Sequence, residues 1–369
     1  MHLTKSSLRA YRLAYARPVV WSDIVEEGAT FLLLRLESDE GHQGVAEMTL
    51  KPTWTGYGPH SLAAALTEVF LPLLATVDLA DEVAVTLALA SIPGHHAPKA
   101  LVDNALWDLR CARRGEPLWR RWGGKSRVDV SFTVTRQAPV LMAREAAGVV
   151  ERLGISTLKI KGGQGLDVDA NVLRELRAAV GEGVDFYVDA NSAYGMDDAL
   201  PYARSLFAAG ARVVEDPCPL RPDAHFQKLQ AALDRPLLVD FSCWGAGDMR
   251  LYQEAGARAF SLKPGRLGLT ETRTMLQQAQ ATGATTVVGM FGESALGTWQ
   301  ALALASGSGD GALPAEVTWY LAMQEQVMHD IPRIDGGSIA LPEHACVADR
   351  VDWERVERFS IAPAINTRH

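Results

Sequence analysis

The chain reads as an α/β barrel of consecutive βα units with a smaller domain ahead of it. Three observations predict this. Five short apolar runs, at 157–161, 186–189, 213–215, 237–240 and 260–263, each end in a charged residue. Helix-patterned segments rich in Ala, Leu and Arg separate them, at a repeat of about two dozen residues, the size of one βα unit. The runs are continuously apolar, as strands buried on both faces are, and parallel neighbours need such crossovers. In a barrel of this kind the C-terminal strand ends converge on one active site. At 369 residues the chain is long enough for a full barrel and a second domain.

Taken in order, residues 8–13 and 31–36 read as strands. Asp39, Glu40 and Gly41 make a hairpin turn, and 44–47 is the return strand. The stretch from Lys51 to His60 is punctuated by Gly and Pro and reads as a loop, with Trp54 and Tyr57 on it. A second loop is expected at 17–22, which includes Trp21. Residues 62–90 and 100–124 are helical by the spacing of Leu and Ala. The arginine-rich run at 110–121 reads as a solvated face. The barrel opens with an alternating strand at 128–134. Helix signals follow the strands at 140–153, 167–180, 196–209, 226–233, 249–255 and 270–281. The seventh strand is 285–288, followed by Gly289-Met290-Phe291-Gly292-Glu293-Ser294 and a helix at 296–305. A Gly/Ser-rich loop then leads to Leu313-Pro314-Ala315-Glu316, with Trp319 just beyond.

The charged strand ends carry the chemistry. Asp189, Glu215 and Asp240 stand on three successive strands. A lone carboxylate there is more often a helix cap or a salt bridge, but three together repel one another, and a hard divalent cation is their natural partner. Lysines flank them on both sides. Lys159 and Lys161 are two apart and share a strand face, while Lys263 stands beyond the carboxylates. An ammonium facing a bound cation loses proton affinity, which suits a lysine to act as a general base. Asn191 shares a face with Asp189 and supports a ligand or a water.

Composition excludes several classes. The net charge of −8 argues against a nucleic-acid footprint. No stretch reaches transmembrane length and none resembles a signal peptide. Cys111, Cys218, Cys243 and Cys346 are scattered without metal spacing and read as free thiols in a reducing cytoplasm. Cys218 and Cys243 read as wall residues rather than nucleophiles, and no histidine arrangement offers a rival centre.

The ordered set Lys159/Lys161, Asp189, Glu215, Asp240 and Lys263 resembles the enolase superfamily, and within it the muconate lactonizing enzyme subgroup. The resemblance covers nearly the whole chain. It implies a modified (β/α)7β TIM barrel at 126–339 and an α+β capping domain at 1–125, completed by 340–369. It implies Mg2+, or Mn2+, on Asp189, Glu215 and Asp240. Lys161 is then the first-choice base, Lys263 the acid or second base on the opposite face, and Lys159 a holder of a substrate carboxylate oxygen. The α-proton of a small carboxylate would leave to give a metal-stabilised enediolate. Isomerisation by a racemase, epimerase or cycloisomerase ranks first, dehydration of a hydroxy acid or hydroxylated amino acid second, and a non-catalytic barrel a remote third. Asn191, Glu293, Glu316, Trp54, Tyr57 and Trp319 are the expected substrate contacts, and Glu47 is expected to be structural. Relatives in the family assemble as dimers or octamers, so a homo-oligomer is expected. Three departures stand out. Phe241 follows Asp240 where an acid is usual, one extra residue separates Met290 from Glu293, and the Asp-x-Asp of dipeptide epimerases is missing near Glu316.

Overall fold

The computed structural model describes residues 1–369. The first strands are longer than their apolar runs. β1 (Leu3–Trp21) and β2 (Ile24–Ser38) form a long antiparallel hairpin whose pairing reaches Trp21 opposite Ile24. Its register slips between Ala14 and Val19. Pro18 falls inside that irregularity, where a missing N–H costs no ladder bond. Residues 17–22, expected as a loop, are therefore the tip of a hairpin arm. β3 (Gln43–Thr49) returns beside β2, as the turn at Asp39–Gly41 predicts.

The stretch expected to be helical at 62–90 is helical up to Leu74, with a wider π-type turn at Leu66–Phe70, and again over Glu82–Ala90, with a gap at 75–81. The helix His96–Arg114 packs across β3 and buries most of its length. Arg110, expected on a solvated face, is 4 % exposed. Its Nε donates to the Leu79 carbonyl at 2.9 Å and its guanidinium lies on the Trp107 ring. Only Arg113, Arg114 and Arg120 of that run face solvent.

The barrel follows. After the short β4 (Arg127–Asp129) come seven parallel strands in sequential order. They are β5 (Phe132–Val134), β6 (Thr157–Lys161), β7 (Asp185–Asp189), β8 (Ala211–Glu215), β9 (Leu237–Val239), β10 (Ala259–Leu262) and β11 (Thr285–Val288). The ring closes through residues 313–316. Leu313 and Glu316 donate their amides to the Thr286 and Val288 carbonyls at 2.8 Å, while Ala315 donates to Asp129 at 2.8 Å and accepts from Ser131 at 2.9 Å. The barrel helices begin and end within a few residues of the expected limits, from Pro139–Leu153 to Ala295–Ala305.

Strand alternation sorts the interior into layers. Tyr187, Val213, Leu238, Ala259 and Val287 form one buried apolar cluster. Two residues further along their strands stand Asp189, Glu215, Asp240 and Ser261, so an apolar floor carries a charged layer above it. β12 (Ile334–Asp335) and β13 (Ser338–Ala340) form a hairpin that pairs with β4. It lies at the entry of the first barrel strand. The chain rejoins the capping sheet later, where β14 (Ile365–Arg368) pairs with β1.

Candidate active site

Each charged residue is set by its strand. Lys161 is paired in register with Asp189, and Asp189 with Glu215. Asp240 and Lys263 lie one residue past β9 and β10. All five of these and Lys159 are buried. Their charges close on one another. The Lys159 ammonium stands 2.8 Å from Glu215, 2.9 Å from Glu316 and 3.3 Å from Asp189. Lys161 meets Asp189 at 2.6 Å, and Lys263 donates to Asp240. Arg266, fully buried on the turn after Lys263, lies 3.4 Å from Asp240 and donates to the Asp240 and Cys243 carbonyls.

Burial and these contacts pull in opposite directions. Burial favours a neutral Asp240, but Lys263 and Arg266 outweigh it and hold its carboxyl at about 2. Burial is likewise outweighed at Asp189, by Lys161 and Lys159. Burial pulls Lys159 toward the neutral amine, and Glu215, Glu316 and Asp189 push it the other way, well above the usual lysine value. Glu215 is raised, by burial first and by Asp189 next. Asp216 is pushed up to about 7 by burial and Asp240, and it accepts the amides of Asp240 and Phe241.

No three acidic side chains converge closely enough here to encircle an ion, since each carboxylate of the layer turns toward a cation. The donor set nevertheless fits a hard cation. Asp240 Oδ1 and Asn191 Oδ1 are buried oxygens that accept no hydrogen bond, and Glu215 Oε2 faces only the Lys159 ammonium at 2.8 Å; oxygen ligands on three neighbouring strand ends suit Mg2+. Asn191 sits on a left-handed turn with φ 49° and donates both its amide and its side chain to Asp189.

Above this layer is a small chamber of about 50 Å³. Lys161, Lys263 and Glu316 reach it from the barrel, Trp21, Lys51 and Trp54 from the capping domain, and Phe291 and Trp319 complete its walls. Trp54 makes edge contacts to Trp21 and Phe241 and packs on Phe291, with Lys263 Nζ 5.2 Å from its ring centre. Trp319 is held by an indole bond to Tyr15 at 3.0 Å.

Four sequence expectations fall differently. Tyr57 does not line the chamber. Its hydroxyl meets His95 Nδ1 at 2.5 Å, and its ring packs on the capping core. Glu293 is tucked below, capping the Phe291 amide at 2.7 Å and pressed on Gly265; burial pushes it up to about 7. Lys159 is enclosed among carboxylates and is not among the chamber-lining side chains. Asn191 contacts Asp189 rather than the chamber wall. The sequence pattern missed Arg266 and Thr133, which donates to Glu316 at 3.1 Å. Arg266 follows Lys263 by one helical turn, a signal that could have marked it. The thiols of Cys218 and Cys243 are buried and raised by burial to about 11 and about 12, so neither is a ready nucleophile.

Two family models match the chain. One is the mandelate racemase/muconate lactonizing enzyme N-terminal domain over residues 7–123, and the other the enolase C-terminal domain-like model over 141–347. An N-succinylamino acid racemase from Thermus thermophilus is 30 % identical over 98 % of both chains. A muconate cycloisomerase from Acinetobacter lwoffii is 26 % identical over 89 % of this chain and 88 % of its own. The structure of an N-succinyl Arg/Lys racemase from Bacillus cereus superposes with a TM-score of 0.91 at 21 % identity, covering 100 % of each chain.

Proposed function

The chain belongs to the mandelate racemase/muconate lactonizing enzyme family, and from that premise we propose that it is an isomerase that removes the α-proton of a small carboxylate substrate. The class comprises racemases, epimerases and cycloisomerases, and the relatives above are named as racemases and as a cycloisomerase. One observation carries the reading. Lys161 and Lys263 line a single chamber from the second and sixth strands of a closed eight-position ring, so they stand across it from each other. Two proton carriers on opposite sides suit removal from one face of the α-carbon and delivery to the other.

Asp189, Glu215 and Asp240 would hold Mg2+ or Mn2+. When bound, the ion supplies fixed positive charge against the charge that gathers on the substrate carboxylate oxygens. Lys161 takes the proton on its side and Lys263 donates from the other, and their roles exchange for the opposite stereoisomer. Lys159, locked between Glu215 and Glu316, keeps the carboxylate layer from flying apart rather than touching the reacting carbon. Arg266 fixes the Asp240 backbone. Trp54, Phe291 and Trp319 keep water from the chamber, which strengthens every charge interaction inside it. We further propose a cytoplasmic homo-oligomer, dimer or octamer. The buried, unpaired cysteines and the family resemblance support that reading.

The test is a panel of α-substituted carboxylates incubated with enzyme and Mg2+ in D2O, read by mass. One deuteron should enter at the α-carbon of a true substrate. If no carboxylate in a broad panel exchanges, the proposal is wrong.

A further inference from the structure

Arg136 stands between the capping arm and one of the two chamber lysines. It lies two residues past β5 and is 8 % exposed. A guanidinium that deep normally faces a carboxylate. Arg136 has only Asp23 within reach, at 3.8 Å, and Asp23 is fully exposed. Its buried contacts are backbone carbonyls instead, and they belong to two different segments.

One segment is the arm tip. The Arg136 amide donates to the Val20 carbonyl at 3.1 Å, and Nη1 donates to the Ser22 carbonyl. One residue thus brackets Trp21 on both sides. Ser22 is held at φ 49°, a left-handed conformation that costs a serine free energy, so contacts outside the tip must hold it there. Trp21 reaches the chamber wall, packs edge-on against Trp54 and donates to Glu26, which also accepts from Lys51.

The other segment is the turn after β6. Arg136 Nε donates to the Gly162 carbonyl at 2.7 Å, one residue past Lys161. Gly163 has φ +81°, and a Cβ there would run into Arg136 Nη2, so the turn is shaped around the guanidinium. The Gly162 amide donates to the Asp189 carbonyl at 2.8 Å, and the Lys161 ammonium meets the carboxylate of the same residue at 2.6 Å. A tilt of this turn therefore moves Lys161 against Asp189. Lys263 is held by other means. Its carbonyl accepts the Arg266 and Leu267 amides at 2.9 Å, and Asn104 donates to the Pro264 carbonyl at 3.0 Å.

We propose that Arg136 is a positioning residue that ties the seating of Trp21 over the chamber to the placement of Lys161, so that closing the site and aiming one of its two proton carriers are a single event. This rests on the α-proton reading above. Arg136 acts through Lys161 and Trp21 and touches no reacting atom. The consequence is one-sided: loss of the guanidinium frees the arm tip and Lys161 together and leaves Lys263 in place.

The experiment uses Arg136→Met and Arg136→Lys with Mg2+ present. Arg136→Lys keeps the charge but lacks the fork that reaches both carbonyls, and it serves where Arg136→Met melts early. Brief labelling with acetic anhydride, read by mass, compares Lys161 with Lys263 in the same molecule. Lys161 should label about threefold faster or more in both variants, as local opening exposes it, while Lys263 keeps its wild-type rate. Amide deuterium uptake should rise at 18–24 and at 162–165 together. On a carboxylate of the panel that exchanges, kcat should fall about tenfold or more with KM near wild type, as expected when a base is misplaced. For a racemase or epimerase the loss should fall on the enantiomer that Lys161→Ala silences. A merely structural role would change both lysines alike. Equal changes at the two lysines, an arm that loosens while 162–165 stays protected, or a wild-type pattern in Arg136→Lys overturns the proposal. If no carboxylate exchanges, the α-proton reading falls, and the labelling still decides whether Arg136 places Lys161.

Discussion

Lys159 and Lys161 leave the same face of one strand, yet their surroundings differ. Lys159 is enclosed by three carboxylates, while Lys161 meets Asp189 and opens on the chamber. The proton chemistry is therefore assigned to Lys161 and to Lys263 across from it. For a racemase or epimerase, Lys161→Ala should stop α-proton exchange from one substrate enantiomer and Lys263→Ala from the other. Each loss should be on the order of 10²-fold or more, as for other positioned bases. Deuterium uptake from the two pure enantiomers reads this directly. A cycloisomerase would show no such split, and two variants with near wild-type turnover would remove both lysines from the mechanism.

At the scale of elements, two buried carboxylates join the capping domain to the rest. Glu47 on β3 accepts the Ser294 amide and hydroxyl at 2.7 Å and the Gly297 amide at 3.1 Å, which fixes the start of the last barrel helix. Asp108, on the helix His96–Arg114, accepts the amides of Val45, Val347 and Ala348. It thereby clamps β3 to the returning C-terminal segment. Asp108→Ala leaves those buried donors unpaired and should cost about 3 kcal/mol in urea unfolding. Its pH dependence follows from burial, which outweighs the three donors and raises the carboxyl from 3.8 to about 7. A raised acid stabilises the fold fully below 3.8 and loses that contribution as pH rises through about 7. The stability gap between wild type and Asp108→Asn should therefore shift against wild type between pH 5 and pH 8. A gap that is flat with pH would show that the carboxyl is not raised.

For the whole molecule, the burden is a charged layer set over an apolar floor. Ligands that bind only the folded state stabilise it by mass action. Mg2+ or Mn2+ should raise the melting temperature of chelated protein and restore its turnover, and Glu215→Gln should abolish both effects while the chain stays folded. Full turnover after exhaustive chelation, with no metal by elemental analysis, would refute the metal assignment. The proposed assembly is tested by light scattering at micromolar concentration. A dimer or octamer is expected, and a monomer refutes it.

Much of the frame was legible because it is written in near neighbours. A period of two puts Lys159 with Lys161 and Tyr187 with Asp189 on one strand face, and apolar runs spaced by helices mark parallel strands whatever surrounds them. The strand ends at Lys161, Asp189 and Glu215 could therefore be read from the sequence alone. The partners of those ends could not. Glu316 reaches Lys159 from 157 residues away, and no local pattern encodes that meeting. Trp54, on the short helix Pro52–Thr55, and Tyr57 just past it have equal aromatic character, yet only packing decided that Trp54 faces the chamber and Tyr57 faces His95. Glu293 turned below the chamber because Gly265 leaves it room and the Phe291 amide needs an acceptor. The hairpin β12–β13 went to the barrel entry because β4 offers it a free edge. Lys51 and Trp21 joined the site because the arm of β1 and β2 runs past its expected ends and brings Glu26 over the mouth. Sequence periodicity sets which way a side chain points, and distant segments packed against it decide what it meets.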